Sequence, residues 1–167
     1  MPDQDLLATC WTTAGDAAPL RGDERSPLPL RERVEATAEA GFRGIGLLHV
    51  DLLTAEREHG LAGIRVGLEF LPWSNIPTVH DGLRLVEDAG HDAGGLVIDV
   101  WHTERAGTPP AELASVPLRH IVGVELSDAA ADQVSTLFED TANRRRLCGE
   151  GAFATAEAQL ELADDGR

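Results

Sequence analysis

Short apolar runs alternate along this chain with longer segments in which apolar residues recur every three or four positions. Five such runs of strand length cover residues 6–10, 42–49, 64–71, 95–100 and 121–126. Apolar runs without polar alternation are typical of strands that are buried on both faces, as in parallel sheets. The pattern therefore predicts the α/β class, with parallel strands joined by helices.

Helical spacing accounts for most of the chain between these predicted strands. The predicted helices cover residues 30–40, 52–62, 77–89, 109–116, 129–143 and 153–163. Gly41 and Gly90 are suitable helix ends, and Asp128 is a good N-cap for the helix that begins at Ala129. In folds of this kind the ligand site lies beyond the carboxyl ends of the strands, so the residues at those ends are the candidates for function.

Acidic residues follow three of the predicted strands. Glu69, Asp99 and Glu125 each sit inside or at the end of an apolar run, where an unpaired charge costs about 2 kcal/mol or more. An arginine partner or an outward-facing register would remove that cost, and so would a bound cation. His102 follows Asp99 by three positions, which lets both side chains converge on one ion; a helix-capping aspartate with a surface histidine is the alternative.

An oxygen-rich site with one imidazole suits a divalent cation such as Mn²⁺, Mg²⁺ or Co²⁺, and Zn²⁺ is also compatible. We expect Glu69, Asp99 and Glu125 to be the metal ligands. A cation there would polarise a carbonyl group, and a neighbouring carboxylate would move the proton on the adjacent carbon. Glu69 and Glu125 are therefore the candidate catalytic residues.

A second set of residues has the position expected of substrate contacts. His49 follows the second predicted strand, and His102 is a further candidate. Arg146 precedes a glycine-flanked loop in which it could hold a substrate oxygen or phosphate, with Glu150 orienting it. The alternative for the run of three arginines is a solvated helix end that offsets the helix dipole.

Composition removes several classes of function. The 167 residues carry 29 acidic and 14 basic side chains, a net charge of −15, which disfavours binding to nucleic acids and anionic membranes. The chain contains no lysine, so a Schiff-base mechanism and a Walker-type phosphate clamp are excluded. Cys10 and Cys148 are expected to be inert thiols, and the absence of a signal-like start or an apolar membrane span predicts a cytoplasmic protein.

Three segments together resemble one known family. They are Gly67-Leu68-Glu69-Phe70-Leu71-Pro72, Ile98-Asp99-Val100-Trp101-His102 and Arg146-Leu147-Cys148-Gly149-Glu150-Gly151. The resemblance is to the sugar phosphate isomerase/epimerase family, which has the xylose-isomerase-like TIM barrel and is related to AP endonuclease family 2. It implies a divalent metal held by Glu69 and Asp99, with Glu125 where the family has His or Gln. It also implies that His102 is a substrate contact or an extra metal ligand, and that Arg146 contacts substrate oxygens.

The chain is shorter than the roughly 250 residues of a complete barrel of this kind. We therefore expect a single domain over residues 1–167 that forms a partial TIM (β/α) barrel of about five parallel strands with flanking helices. About two internal βα units and the last strand would be missing. Open sheet edges would favour pairing with a second copy or a complementing chain.

The function implied by the resemblance is a divalent-metal-dependent isomerase or epimerase of a small sugar or sugar phosphate. The alternative is a catalytically inert truncated remnant, or a subunit that acts through partner binding.

Overall fold

A computed structural model describes residues 5–18, 22, 24–52 and 64–153. The chain divides into two compact units, Met1–Gly63 and Ile64–Arg167. The assignment of the whole chain to one domain that lacks two βα units and a last strand stays a prediction.

The first unit contains a short parallel strand pair. Strand β1, Leu7–Ala8, pairs in parallel with β2, Gly44–Ile45. Helix α1, Cys10–Thr13, follows β1 directly, and α2, Leu30–Glu39, precedes β2. The strands are much shorter than the apolar runs that predicted them. Residues 49–52 are helical, whereas the rest of the helix predicted over 52–62 lies outside the described residues.

A buried ion pair links distant segments of this first unit. Arg33 on α2 places Nη1 2.8 Å from Oδ2 of Asp51, and the two side chains are only 2% and 7% exposed. Asp51 also accepts a hydrogen bond from the backbone N–H of Ser26, while Arg33 donates to the hydroxyl of Thr13. Losing one partner would leave the other charge buried and unpaired, so the pair holds together segments that are distant in sequence.

The second unit is built on a three-stranded parallel sheet. Its strands are β3, Val66–Glu69, β4, Gly94–Asp99, and β5, Ile121–Glu125, in the spatial order β3-β4-β5. The central strand β4 is the most buried, as its continuous apolar run predicts. The described residues thus hold five parallel strands in two sheets, without a closed barrel, which confirms the predicted partial barrel.

Helices follow the strands of the second unit as an α/β connection requires. They are α3, Val79–Ala89, α4, Val100–Arg105, α5, Pro110–Ala114, and α6, Leu137–Asn143, with a 3₁₀ turn at Leu118–His120. Thr78 caps the start of α3 by accepting the N–H of Asp81, and Gly90 ends it with a φ of 61° that glycine adopts without strain. Helix α4 begins at the residue after β4, which the sequence pattern did not predict.

Helix α3 packs on the sheet and forms the core of the second unit. The buried apolar cluster consists of Phe70, Val79, Val86, Leu96, Ile98, Leu113 and Val116. Gly82 allows this contact, since a Cβ at that position would lie 2.9 Å from Cδ2 of Leu96. The core therefore anchors β3 and β4 and holds their carboxyl ends at a common edge.

The predicted helix over residues 129–143 is wrong in its first half. Helix α6 begins only at Leu137, after the N-cap Thr136. The carboxylate of Asp140 accepts the backbone N–H groups of Val134 and Ser135, and these bonds hold the preceding residues in a non-helical turn. Helix propensity in this segment is thus overridden by side-chain hydrogen bonds to the backbone.

Asp128 is not the N-cap of a helix, contrary to prediction. Its buried carboxylate accepts the N–H of Ala129 and three N–H groups from the loop after α6, those of Gly149, Gly151 and Phe153. Its backbone pairs with Arg146 in both directions. Although burial opposes ionisation, these hydrogen bonds hold the pKa of Asp128 below its usual range. Asp128 therefore fixes the loop over residues 146–153 beside β5.

We expect Asp128→Asn to lower the free energy of unfolding by about 2 kcal/mol, because the new NH₂ group would face N–H donors. Urea denaturation monitored by tryptophan fluorescence measures this. Asp132→Asn, on an exposed aspartate of the same region, is the matched control. Equal stability of the two variants would contradict the assigned role of Asp128.

Candidate metal centre

The three strands of the second unit each end in an acidic residue. Glu69 is the last residue of β3, Asp99 of β4 and Glu125 of β5. Asp99 and Glu125 are partners in the sheet register, and Glu69 pairs with Val97 two positions before Asp99. Because the strands are parallel, all three carboxylates lie at the same edge of the sheet.

His102 joins two of these carboxylates because α4 starts immediately after β4. Its Nε2 lies 3.1 Å from Oε1 of Glu69 and 3.5 Å from Oδ2 of Asp99. One potential ligand atom from each of the three residues lies within 4.8 Å of the other two. His102 is 3% exposed, so the alternative of a surface histidine is wrong. Two carboxylates and an imidazole at this spacing fit a divalent cation.

Asp99 is the most constrained residue of this cluster. It is 1% exposed, and its Oδ1 accepts the backbone N–H of Trp101 at 2.8 Å, so it also caps α4. Its Oδ2 accepts a hydrogen bond from Nη2 of Arg145 at 2.7 Å. Both carboxylate oxygens of Asp99 therefore have a donor within the protein.

Arg145 is the functional candidate that sequence reasoning missed. It follows α6, and its guanidinium also donates to the hydroxyls of Ser127 and Thr141. Arg146, the predicted substrate contact, instead donates from Nη1 to the carbonyl oxygen of Glu150. The triple arginine was a signal for this site, but only the path of the chain after α6 shows which arginine reaches the carboxylates. The predicted substrate roles of Arg146 and Glu150, both exposed, stay predictions.

Glu125 lies beside the three-residue cluster rather than within it. Burial, together with the negative charges of Glu69 and Asp99, raises the pKa of Glu125 to about 7. The opposing attraction of Arg145 and His102 is smaller. At neutral pH this carboxyl is thus divided between its protonated and ionised forms, as a group that exchanges protons needs to be.

Aromatic side chains form one wall of the cluster. Trp73 contacts the His102 ring edge-on at a centroid distance of 5.3 Å and also contacts Trp101 and Phe138. Trp101 is fully buried, whereas Trp73 keeps 39% of its surface exposed. Trp73 is therefore the tryptophan of this wall that can present a face to a ligand.

His49, the remaining predicted substrate contact, belongs to the first unit. It is exposed at the start of the helical residues 49–52. Its predicted role stays a prediction.

In TIM barrels, polar active-site residues lie at the carboxyl ends of the parallel strands, as these acidic residues do. The family model described as "Xylose isomerase-like TIM barrel" matches residues 51–166, more than half of the chain. The chain belongs to this family, as its resemblance in sequence predicted.

One curated relative is named 3-dehydroshikimate dehydratase, from Pseudomonas putida strain KT2440. It is 32% identical over 96 residues, which cover 56% of this chain and 15% of the relative. The chain thus spans a small part of that protein's length.

Two solved structures share the fold. A fusion protein of a xylose isomerase-like TIM barrel and 4-hydroxyphenylpyruvate dioxygenase aligns with a TM-score of 0.61 at 22% identity, over 80% of this chain and 24% of the other. The IolI protein with a binding zinc atom aligns with a TM-score of 0.55 at 18% identity, over 83% of this chain and 46% of the other.

Within the described residues, the helices are too short or too polar for any of them to cross a lipid bilayer.

The raised pKa of Glu125 predicts a dependence of stability on pH. A carboxyl with a folded pKa near 7 and an ordinary unfolded pKa of 4.5 favours the folded state below pH 4.5, and this contribution is lost as the pH rises through 7. We expect Glu125→Gln to remove that loss. The variant should be more stable than the unmodified protein at pH 8 by about 1–2 kcal/mol, once partial exposure is allowed for.

Urea denaturation in EDTA at pH 5, 6.5 and 8 measures this effect. Glu87→Gln, on the exposed surface of α3, is the control and should leave the pH dependence unchanged. A stability difference between Glu125→Gln and the unmodified protein that is constant from pH 5 to 8 would contradict the assignment.

Proposed function

We propose that this chain carries the metal centre of a divalent-metal-dependent isomerase or epimerase that acts on a small sugar or sugar phosphate. The main support is the convergence of Glu69, Asp99 and His102, whose potential ligand atoms lie within 4.8 Å of one another at the carboxyl edge of parallel strands. Membership of the xylose isomerase-like family supports the same class of chemistry. The zinc atom in the IolI structure supports a metal in this fold.

The residues that would hold the cation are Glu69, Asp99 and His102, with Glu125 beside them. Their oxygen-rich donor set fits Mn²⁺, Mg²⁺ or Co²⁺, and the imidazole also makes Zn²⁺ suitable. A bound divalent cation would polarise a substrate carbonyl and so make the hydrogen on the adjacent carbon more acidic. The protein has to supply the groups that accept and return that proton.

Glu125 is the carboxyl best suited to proton transfer. It ends β5 beside the cluster, where a carboxylate would accept a proton from a carbon next to a carbonyl and return it. In the metal-free protein its pKa is raised to about 7. Glu69 ends β3, which lies two strands away from the Glu125 strand in the sheet, and its side chain is 39% exposed. It is the second carboxylate that a substrate could reach. The exposed part of Trp73 would pack against the apolar face of a sugar ring.

Arginine side chains would bind the substrate hydroxyls. We assign this role to Arg146, as predicted from sequence, and we add Arg145, whose side chain is 29% exposed beside Asp99. For a phosphorylated sugar, an arginine would also pair with the phosphate. Glu150 would bind a further hydroxyl.

We expect Mn²⁺, Co²⁺ or Zn²⁺ to bind the unmodified protein and raise its melting temperature, because the cation removes the repulsion between the carboxylates. Glu69→Gln and Asp99→Asn should each weaken the affinity at least about tenfold. Isothermal titration calorimetry of EDTA-treated protein measures this, with Glu87→Gln as the control.

Activity is tested by exchange of the carbon-bound hydrogen. Small ketoses and ketose phosphates are incubated with metal-loaded protein in D₂O, and deuterium incorporation and epimer formation are followed by NMR. We expect Glu125→Gln to lose most of the exchange while retaining metal binding. If the protein instead removes water from the substrate, which is the reaction in the name of the dehydratase relative, the proposed isomerase or epimerase activity is wrong and the chain is a dehydratase.

A second proposal concerns partners, and the exposed sheet edges favour it. In the part of the chain that the structure describes, β3 and β5 each pair with one strand only. Val66 on β3 and Val124 on β5 are exposed, as are the flanking Ile64 and Leu126. We propose that a second copy of this chain or a complementing chain pairs with these edges.

We expect size-exclusion chromatography with light scattering to show a dimer or larger species. Val124→Lys should shift the distribution toward monomer, because a charge on the strand blocks edge pairing. A monomer with bound metal and hydrogen exchange would reject the partner proposal and leave the enzymatic one intact.

A further inference from the structure

The pairing of Arg145 with Asp99 places a positive charge where a metal cation would also bind. Nη2 of Arg145 lies 2.7 Å from Oδ2 of Asp99, and the same Oδ2 lies 3.5 Å from Nε2 of His102. Oδ2 is thus the carboxylate oxygen of Asp99 that faces the cluster, since Oδ1 is engaged by the backbone N–H of Trp101. One oxygen atom is therefore shared between the arginine and the candidate ligand set.

Two cations on one carboxylate oxygen repel each other, and burial strengthens this repulsion because little water lies between them. Asp99 is 1% exposed, so its carboxylate cannot rotate into solvent to bind the guanidinium and a metal cation at separate places. Its position is also fixed by its role as the cap of α4. The arginine is the member of the pair that can move, since its side chain is 29% exposed.

Arg145 has anchors that do not involve Asp99. Its Nη1 donates to the hydroxyl of Ser127 at 3.0 Å, and its Nε donates to the hydroxyl of Thr141 at 3.0 Å. The guanidinium also lies over the ring of Trp101, at 5.5 Å from the centroid. These contacts would keep the guanidinium beside the site after its bond to Asp99 is broken.

We propose that Arg145 is an internal counter-cation of the metal centre, which pairs with Asp99 in the metal-free protein and is displaced from it by the incoming divalent cation. This rests on the proposed function, since it concerns the same site. The displaced guanidinium is then available to an oxygen of the substrate, so that metal binding and the capture of an anionic or hydroxylated substrate are coupled. Arg145 is in this sense a positioning residue that sets the metal affinity.

The proposal predicts that removing Arg145 tightens metal binding. Arg145→Gln should raise the affinity for Mn²⁺ about tenfold, because the metal ion no longer competes with the guanidinium for Asp99. Arg145→Lys, which keeps the positive charge, should raise it much less. A residue that only supports the fold would show the opposite result, since its loss would loosen Asp99 and weaken binding.

Mn²⁺ affinity is measured on EDTA-treated protein by isothermal titration calorimetry and by the electron paramagnetic resonance signal of free Mn²⁺. Arg144→Gln is the matched control, because it removes the same charge one residue away, where the arginine pairs with Asp140. Circular dichroism melting identifies any variant that fails to fold. If Arg145→Gln fails to fold, the double variant Arg145→Gln with Thr141→Val replaces it. The second change removes the Thr141 hydroxyl, which would otherwise lose its donor.

The outcomes separate this inference from the proposed function. Tighter Mn²⁺ binding by Arg145→Gln than by the unmodified protein and Arg144→Gln supports the inference. Equal or weaker binding by Arg145→Gln overturns the inference and leaves the metal centre standing. No binding of Mn²⁺, Co²⁺ or Zn²⁺ by any of these proteins overturns both.

Discussion

Repulsion among carboxylates at one edge of a parallel sheet is the constraint on which the rest of this site depends. Glu69, Asp99 and Glu125 end three neighbouring strands, so the sheet itself forces their charges together. In the described residues, three features reduce this repulsion: Arg145 pairs with Asp99, the His102 imidazole lies between Glu69 and Asp99, and the pKa of Glu125 is raised to about 7. Each of these features lowers the electrostatic cost of holding the three charges together.

Two buried aspartates organise the elements around this edge. Asp99 caps α4, which turns the chain directly after β4 and carries His102 back to the strand ends. Asp128 binds four backbone N–H groups and fixes the loop after α6, next to the segment that delivers Arg145. Hydrogen bonds from backbone N–H groups to these two buried carboxylates thus do the positioning, while the core beneath α3 only has to keep the strands in register.

Much of the architecture followed from simple patterns. The apolar runs identified the strands and their parallel pairing, and helical spacing identified α2 and α3 to within a few residues. The prediction failed over residues 129–136, where Asp128 and Asp140 bind backbone N–H groups that a helix would otherwise use. It also missed α4, because an apolar strand that continues into a buried helix shows no change of composition at the boundary.

Local composition and connection length were enough to show that acidic residues end three parallel strands, since they set where a strand ends and in which direction it runs. The chemical type of the candidate ligands was also known at that stage, because residue type is independent of fold. The folded chain was needed to show that His102 points into the cluster and that Arg145, rather than Arg146, reaches Asp99. The position of His102 depends on how directly α4 follows β4, a boundary set by the cap bond from Trp101 to Asp99 and unmarked by any change of composition. The position of Arg145 depends on where the loop after α6 runs, which is set by hydrogen bonds to Asp128 from residues more than twenty positions away.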